Sequence, residues 1–274
     1  MVIQMVGTIL LTVLLQVVVE SSNRSSQTAA EWHVYGRGSS ISWTDRLCAN
    51  RSRYSFQVSD EDGTIAVTRW HEGTEPQNAE ALPAWIKRTG AQHALDLLDG
   101  WLVGKDGGEF GGRLWWIHPD GKKEVLLRSN VVSLRRLSER SALAFTGTLH
   151  GWTDVGRVQR VTIENGAARV ELLGSLDGLP LAIGEHGDDY LVATSSGVWL
   201  VRRTGAPVRL AAVDLGLLIP NSILRATNGA IYVGLNAFVL RLVSSDGGFD
   251  AEWMLPPGCA GLTMRDGPCV CTAP

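Results

Sequence analysis

The chain has 274 residues, 45% of them hydrophobic and 19% charged, which is the composition of a globular protein and excludes the disordered and collagen-like classes. The formal net charge is -3, and the longest basic cluster is Arg135-Arg136 with Arg140 nearby. Nucleic-acid binding draws most of its affinity from a basic stripe, so nucleic acid is excluded as an expected partner.

The first element in chain order is an uncharged apolar stretch, Met5 to Val19, followed by the polar segment Glu20 to Gln27. As a helix the stretch rises roughly 22 Å, short of a ~30 Å hydrocarbon core. That is the pattern of a secretory signal, so residues 1–30 are expected to direct export and residues 31–274 to form one extracytoplasmic domain, periplasmic or secreted. The alternative is a single uncleaved N-terminal anchor. No later segment approaches span length, so multispan insertion is not expected. Four cysteines, Cys48, Cys259, Cys269 and Cys271, agree with export: an even count implies two disulfides, with three connectivities open. Cys269 and Cys271, two apart on a strand, share a face, so each needs its partner from Cys48 or Cys259. A bridge from Cys48 would tie the two ends of the chain together.

From residue 92 onward, apolar and β-branched runs alternate with Gly, Asp and Asn turns, as antiparallel hairpins require. The runs include Trp101–Gly104, Arg113–His118, Glu124–Leu127, Ala142–Thr146, Arg157–Ile163, Tyr190–Thr194, Gly197–Val201, Ile231–Leu235 and Phe238–Val243. One helix is predicted, around Ala81 to Arg88, within a stretch (Glu72 to Gln92) that reads as an insertion. The second strand of each unit begins near Trp101, Ala142, Tyr190 and Ile231, so the pattern recurs about every 41 to 48 residues. Four-stranded units at this period are the signature of propeller blades, each unable to bury both faces alone. Residues 92–255 thus resemble the broad β-propeller superfamily, by repeat pattern rather than by a diagnostic motif. The resemblance implies an all-β fold of five four-stranded blades. The fifth would be composed of the hairpin Tyr54–Trp70 and the C-terminal strands of Cys259–Thr272, closing the ring with strands from both termini. A β-sandwich is the alternative architecture.

Two clusters carry candidate chemistry. His150, Trp152 and Asp154 follow an inner-type strand and form a candidate binding site for a sugar or a protein. Glu185, His186 and Asp188 gather ionisable groups that could ligate a hard divalent cation, although an exposed turn requires the same residue types. His118-Pro119-Asp120-Gly121 reads as a turn, Gly107–Gly112 as a flexible hairpin loop, and Trp101, Trp116 and Trp199 as packing between blades. No Gly-x-Ser-x-Gly elbow, His-Glu-x-x-His motif or phosphate loop is present. The sequence therefore leads to a non-catalytic binding or scaffold protein with a protein or carbohydrate partner and no cofactor. The alternative is a metal-assisted, lactonase-like hydrolase using the cation cluster.

Overall fold

The computed structural model describes residues 26–71, 83–151 and 153–274. The apolar stretch of the expected signal, residues 72–82 of the expected insertion, and Trp152 lie outside the described residues.

The elements run β1 (Ser26–Thr28), β2 (His33–Arg37), α1 (Trp43–Ala49), β3 (Tyr54–Glu61), β4 (Thr64–His71) and α2 (Ala84–Lys87). Four consecutive antiparallel meanders follow. The first is β5 (His93–Leu97), β6 (Gly100–Lys105), β7 (Arg113–Ile117) and β8 (Lys123–Leu127). The second is β9 (Asn130–Ser138), β10 (Ser141–His150), β11 (Thr153–Glu164) and β12 (Ala167–Asp177). The third is β13 (Pro180–His186), β14 (Asp189–Thr194), β15 (Gly197–Val201) and β16 (Val208–Ala212). The fourth is β17 (Ser222–Arg225), β18 (Ile231–Gly234), β19 (Val239–Ser245) and β20 (Gly248–Leu255), and the chain ends with β21 (Gly261–Met264) and β22 (Cys269–Thr272). The protein is all-β, built of several four-stranded antiparallel sheets.

The sheets bury one another in series. Leu102, Leu114 and Trp116 of the first sheet pack with Val131, Leu134, Ala144 and Val161 of the second. Phe145 and Val158 of the second meet Tyr190, Val192 and Trp199 of the third. Leu191 and Val198 of the third meet Ile231, Leu240 and Trp253 of the fourth. Tyr232, Val239 and Met254 of the fourth meet Phe56, Val58 and Val67 of β3 and β4. Alternation along each strand sends neighbouring residues to opposite faces, which is how Leu143 and Ala144 both become fully buried. Two glycines seat these contacts: a Cβ on Gly104 would collide with Val131, and one on Gly234 with the Phe56 carbonyl oxygen. The outer face of the first sheet meets no other sheet among the described residues. There Ala94, Val103 and Ile117 pack on Ile86 of α2.

The ends of the chain depart from expectation. The hairpin β3–β4 and the C-terminal strands do not share a sheet: β3–β4 is completed by β1, and β21–β22 forms a separate two-stranded sheet. The N-terminal contribution goes instead to the fourth sheet, where β2 pairs with β20 as a fifth strand. Two contacts hold β2 there. Glu252, with its side chain only 12% exposed, lies 3.2 Å from Arg37 and 2.5 Å from Arg241, so three strands share one charge network. The Trp253 indole N–H donates to the Gly38 carbonyl at 3.0 Å. Residues 26–30 belong to the folded unit, since β1 pairs with β4 and Ala29 is in the core.

Helix α1 was not visible as periodicity because it has only seven residues. Its local signal is Ser42-x-x-Asp45, with the Ser42 Oγ accepting from the Asp45 N–H at 3.1 Å as an N-cap. Helices this short are unstable alone, and α1 is fixed by two long-range ties. Arg46 pairs with Asp214 at 2.6 Å, and Cys48 is bonded to Cys269. The second disulfide is Cys259–Cys271, so each cysteine of β22 takes a partner from outside the strand. Two disulfides fit an oxidising, extracytoplasmic environment. No described helix is long and apolar enough to cross a membrane.

Cys48–Cys269 spans 221 residues and Cys259–Cys271 spans 12. Loop-closure entropy makes the first worth about 2 to 3 kcal/mol more than the second. Replacing each pair with alanines and comparing urea unfolding should show that difference; equal losses would contradict it. His93 is half-buried in β5. Burial, then the Arg135 charge, lowers its pKa below the ordinary 6.5. Below that value the unfolded chain binds more protons there than the native one, so stability is full above pH 6.5 and declines as pH falls. His93→Asn should flatten the acid-side decline of melting temperature; a variant with an unchanged profile would refute the assignment.

Candidate functional site

The site with the most binding chemistry lies at one end of the first sheet. The register of its four strands sets Asp96 opposite Trp101, Trp101 opposite Ile117, and Ile117 opposite Lys123. Directly opposed residues project from the same face, so this row presents carboxylate, indole, aliphatic and ammonium groups side by side. The row lines an open groove of about 530 Å³, walled by Trp85, Leu98 and Pro119 and completed by His118. Trp85 comes from α2 and stands edge-on to Trp101, with ring centroids 5.9 Å apart and planes at 88°. Trp85 is 37% exposed and Leu98 54%, so the apolar wall faces solvent.

The β7–β8 turn borders the groove. The His118 N–H donates to the Lys122 carbonyl, and its own carbonyl accepts from Gly121 N–H, both at 2.9 Å. Its Nε2 lies 3.7 Å from the Glu124 carboxylate. His118-Pro119-Asp120-Gly121 is therefore a turn, as its composition implies, and the His118 ring lies on the other face of the sheet, 6.0 Å from that of Trp116. The sequence pattern marked Trp101 as packing only. Asp96, Lys123 and Trp85 carried no signal as a group, because only the four-strand register and α2 bring them together.

The structure does not gather His150 and Asp154 around a common point. His150 Nδ1 lies 3.2 Å from the Glu109 carboxylate, across the loop that follows β6. Asp154 is engaged within the fold: one carboxylate oxygen accepts from the Leu179 N–H at 2.6 Å and the other from the Ser195 hydroxyl. It borders an open cavity of about 410 Å³ with Arg157, Ser175, Asp177 and Ser196. Trp152 lies outside the described residues.

Glu185, His186 and Asp188 are likewise separated. Glu185 and His186 are adjacent in β13 and so project to opposite faces. The His186 Nε2 is 3.5 Å from the Arg225 guanidinium, and Asp188 is 3.7 Å from that of Arg203. Arg203 also donates its backbone N–H to Asp189 and its Nε–H to the Asp188 carbonyl. Among the described residues, no three of the His, Cys, Asp and Glu side chains converge as a metal ion would need.

Asp154 thus acts as a bolt between the β12–β13 and β14–β15 connections. Asp154→Ala leaves the Leu179 N–H and the Ser195 hydroxyl unpaired and should cost about 1.5 to 3 kcal/mol in urea unfolding. A loss under 0.5 kcal/mol (about the size of an ordinary surface change) would show that the bonds contribute little.

No family model matches the chain, and no curated protein matches it. Solved structures similar to it include the gluconolactonase XC5397 from Xanthomonas campestris, at 13% identity and a TM-score of 0.33, covering 61% of this chain and 56% of that one. The N-terminal domain of Nup159 is similar at 11% identity and a TM-score of 0.28, covering 73% and 65%. The computationally designed Ika8 protein is similar at 10% identity and a TM-score of 0.29, covering 87% and 84%. The match thus spans less than two thirds of the gluconolactonase and of the Nup159 domain, and likeness at these scores carries no weight for function.

Proposed function

We propose that the chain is an extracytoplasmic, non-catalytic carbohydrate-binding protein on a β-propeller scaffold, taking its ligand in the groove of the first sheet. The four meanders are read as blades and β3–β4–β1 as a fifth, which the serial packing of the sheets supports. The observation that carries the function is the row Asp96–Trp101–Ile117–Lys123 with Trp85 standing against it. The C–H face of a sugar ring is apolar and electropositive and stacks on the electron-rich face of an indole. Its hydroxyls need both acceptors and donors at the rim, which Asp96 and Lys123 supply.

A binding role is favoured over glycoside hydrolysis because that chemistry needs two carboxylates flanking the bond. Asp96 is the single carboxylate among the described residues lining the groove. A metal-assisted hydrolase has less support, since Arg225 and Arg203 occupy the neighbourhoods of His186 and Asp188.

The test is titration of the purified mature protein with a panel of neutral oligosaccharides, followed by tryptophan fluorescence and calorimetry. At least one should bind, and Trp101→Ala should weaken it by tenfold or more, about 1.4 kcal/mol. Asp96→Asn should weaken it less, with the fold unchanged. Binding that is indifferent to Trp101→Ala, or turnover of the sugar, would overturn the proposal.

A further inference from the structure

The opposite end of the same sheet face carries a second groove of different chemistry. Alternation puts Trp101, Val103 and Lys105 of β6 on one face, and Arg113, Trp115 and Ile117 of β7 beside them. Lys105 and Arg113 are direct cross-strand partners. Arg128 follows Leu127, whose partner Leu114 adjoins Arg113, so a third cation continues the row past β8. All three line an open groove of about 700 Å³ with Trp115, Thr89 and the Gly-rich loop, whose Phe110 is 91% exposed.

Like charges placed directly opposite in a sheet destabilise it. Among the described residues, Lys105, Arg113 and Arg128 form no ion pair, and no carboxylate lines the groove. The two nearest acids in the loop are engaged elsewhere. Asp106 Oδ1 accepts from Gly108 N–H at 2.8 Å, and Glu109 faces His150. Strands about 4.8 Å apart space the cations to meet successive charges on an extended ligand. Trp115 and Phe110 add aromatic faces, as in the first groove. The four-residue step from Trp101 to Lys105 sets the two grooves about 13 Å apart along β6.

We infer that Lys105, Arg113 and Arg128 bind the carboxylate or sulfate groups of an acidic saccharide, so that the ligand class of this sheet face is an anionic glycan. The inference deepens the carbohydrate reading above and rests on it. An acidic peptide fits less well, because the groove offers the aromatic planes of Trp115 and Phe110 for stacking.

The experiment titrates the mature protein with unmodified dextran, dextran sulfate and oligogalacturonate, and with poly-glutamate and a single-stranded oligonucleotide as competing polyanions. The neutral panel described above is repeated alongside. At least one acidic saccharide should bind tenfold or more tighter than its neutral counterpart, and rising salt from about 50 to about 500 mM should erase most of that preference. The sulfate and uronate arms distinguish which anion is read. Arg113→Glu with Arg128→Gln should abolish the preference and leave Trp101-dependent neutral binding intact. Arg113→Glu turns a like-charge pair with Lys105 into an attractive one, so the variant folds. An unchanged preference in that variant, or equal binding of poly-glutamate or the oligonucleotide, overturns the inference. Neutral binding without any acidic preference overturns it alone; no saccharide binding at all overturns the carbohydrate reading with it.

Discussion

The structure depends on one constraint: a four-stranded sheet with two apolar faces must be covered twice. Leu143 and Ala144 of β10 show the constraint at its tightest, adjacent in sequence and each fully buried against a different neighbouring sheet. Serial stacking satisfies it for the second, third and fourth sheets. The first sheet is the exception, and a four-residue helix covers only the middle of its outer face. Among the described residues, the ends of that face carry tryptophans and cations and meet no other sheet. Binding chemistry gathers where the packing rule is left incomplete.

Charge follows the same division. Across the later sheets, arginines are spent on structure: Arg160 on Glu171, Arg209 on Asp177, Arg37 and Arg241 on Glu252. Exposed pairs of this kind contribute little each, but they fix register and neutralise the strands. Arg203 alone bonds Asp188, Asp189 and the Leu137 carbonyl, stitching the third sheet to the second. Arg135, Arg136, Arg157 and Arg169 of the second sheet also form no ion pair among the described residues; the three cations of the first sheet differ in lining one groove together.

Most of the strands were legible in the sequence because period-two alternation and Gly, Asp or Asn turns are local signals. What was not legible depended on partners far away. Nothing near His33–Arg37 announces that it will join β20, since that choice rests on Glu252 and Trp253, more than 200 residues on. The disulfide framework was half legible: strand geometry ruled out Cys269–Cys271, and only the fold selects Cys48–Cys269. The clusters Glu185–Asp188 and His150–Asp154 looked like sites because they are dense in sequence. Density along a strand is poor convergence in space, since alternation separates neighbours, whereas Asp96 and Lys123 meet one groove from 27 residues apart.

The pairing of β2 with β20 also sets an order of events. Val34 finds its partner in Met254, so the fourth sheet is complete only when nearly all of the chain is available. Contacts this remote are entropically costly to close and come late, while the local meanders β5–β8 to β17–β20 can form as each emerges. Until then β20 presents an unpaired edge, and the strand that covers it waits at the other end of the polypeptide. Chaperone capture during synthesis or export would therefore be needed longest at β2, which is made early and placed only once β20 is available.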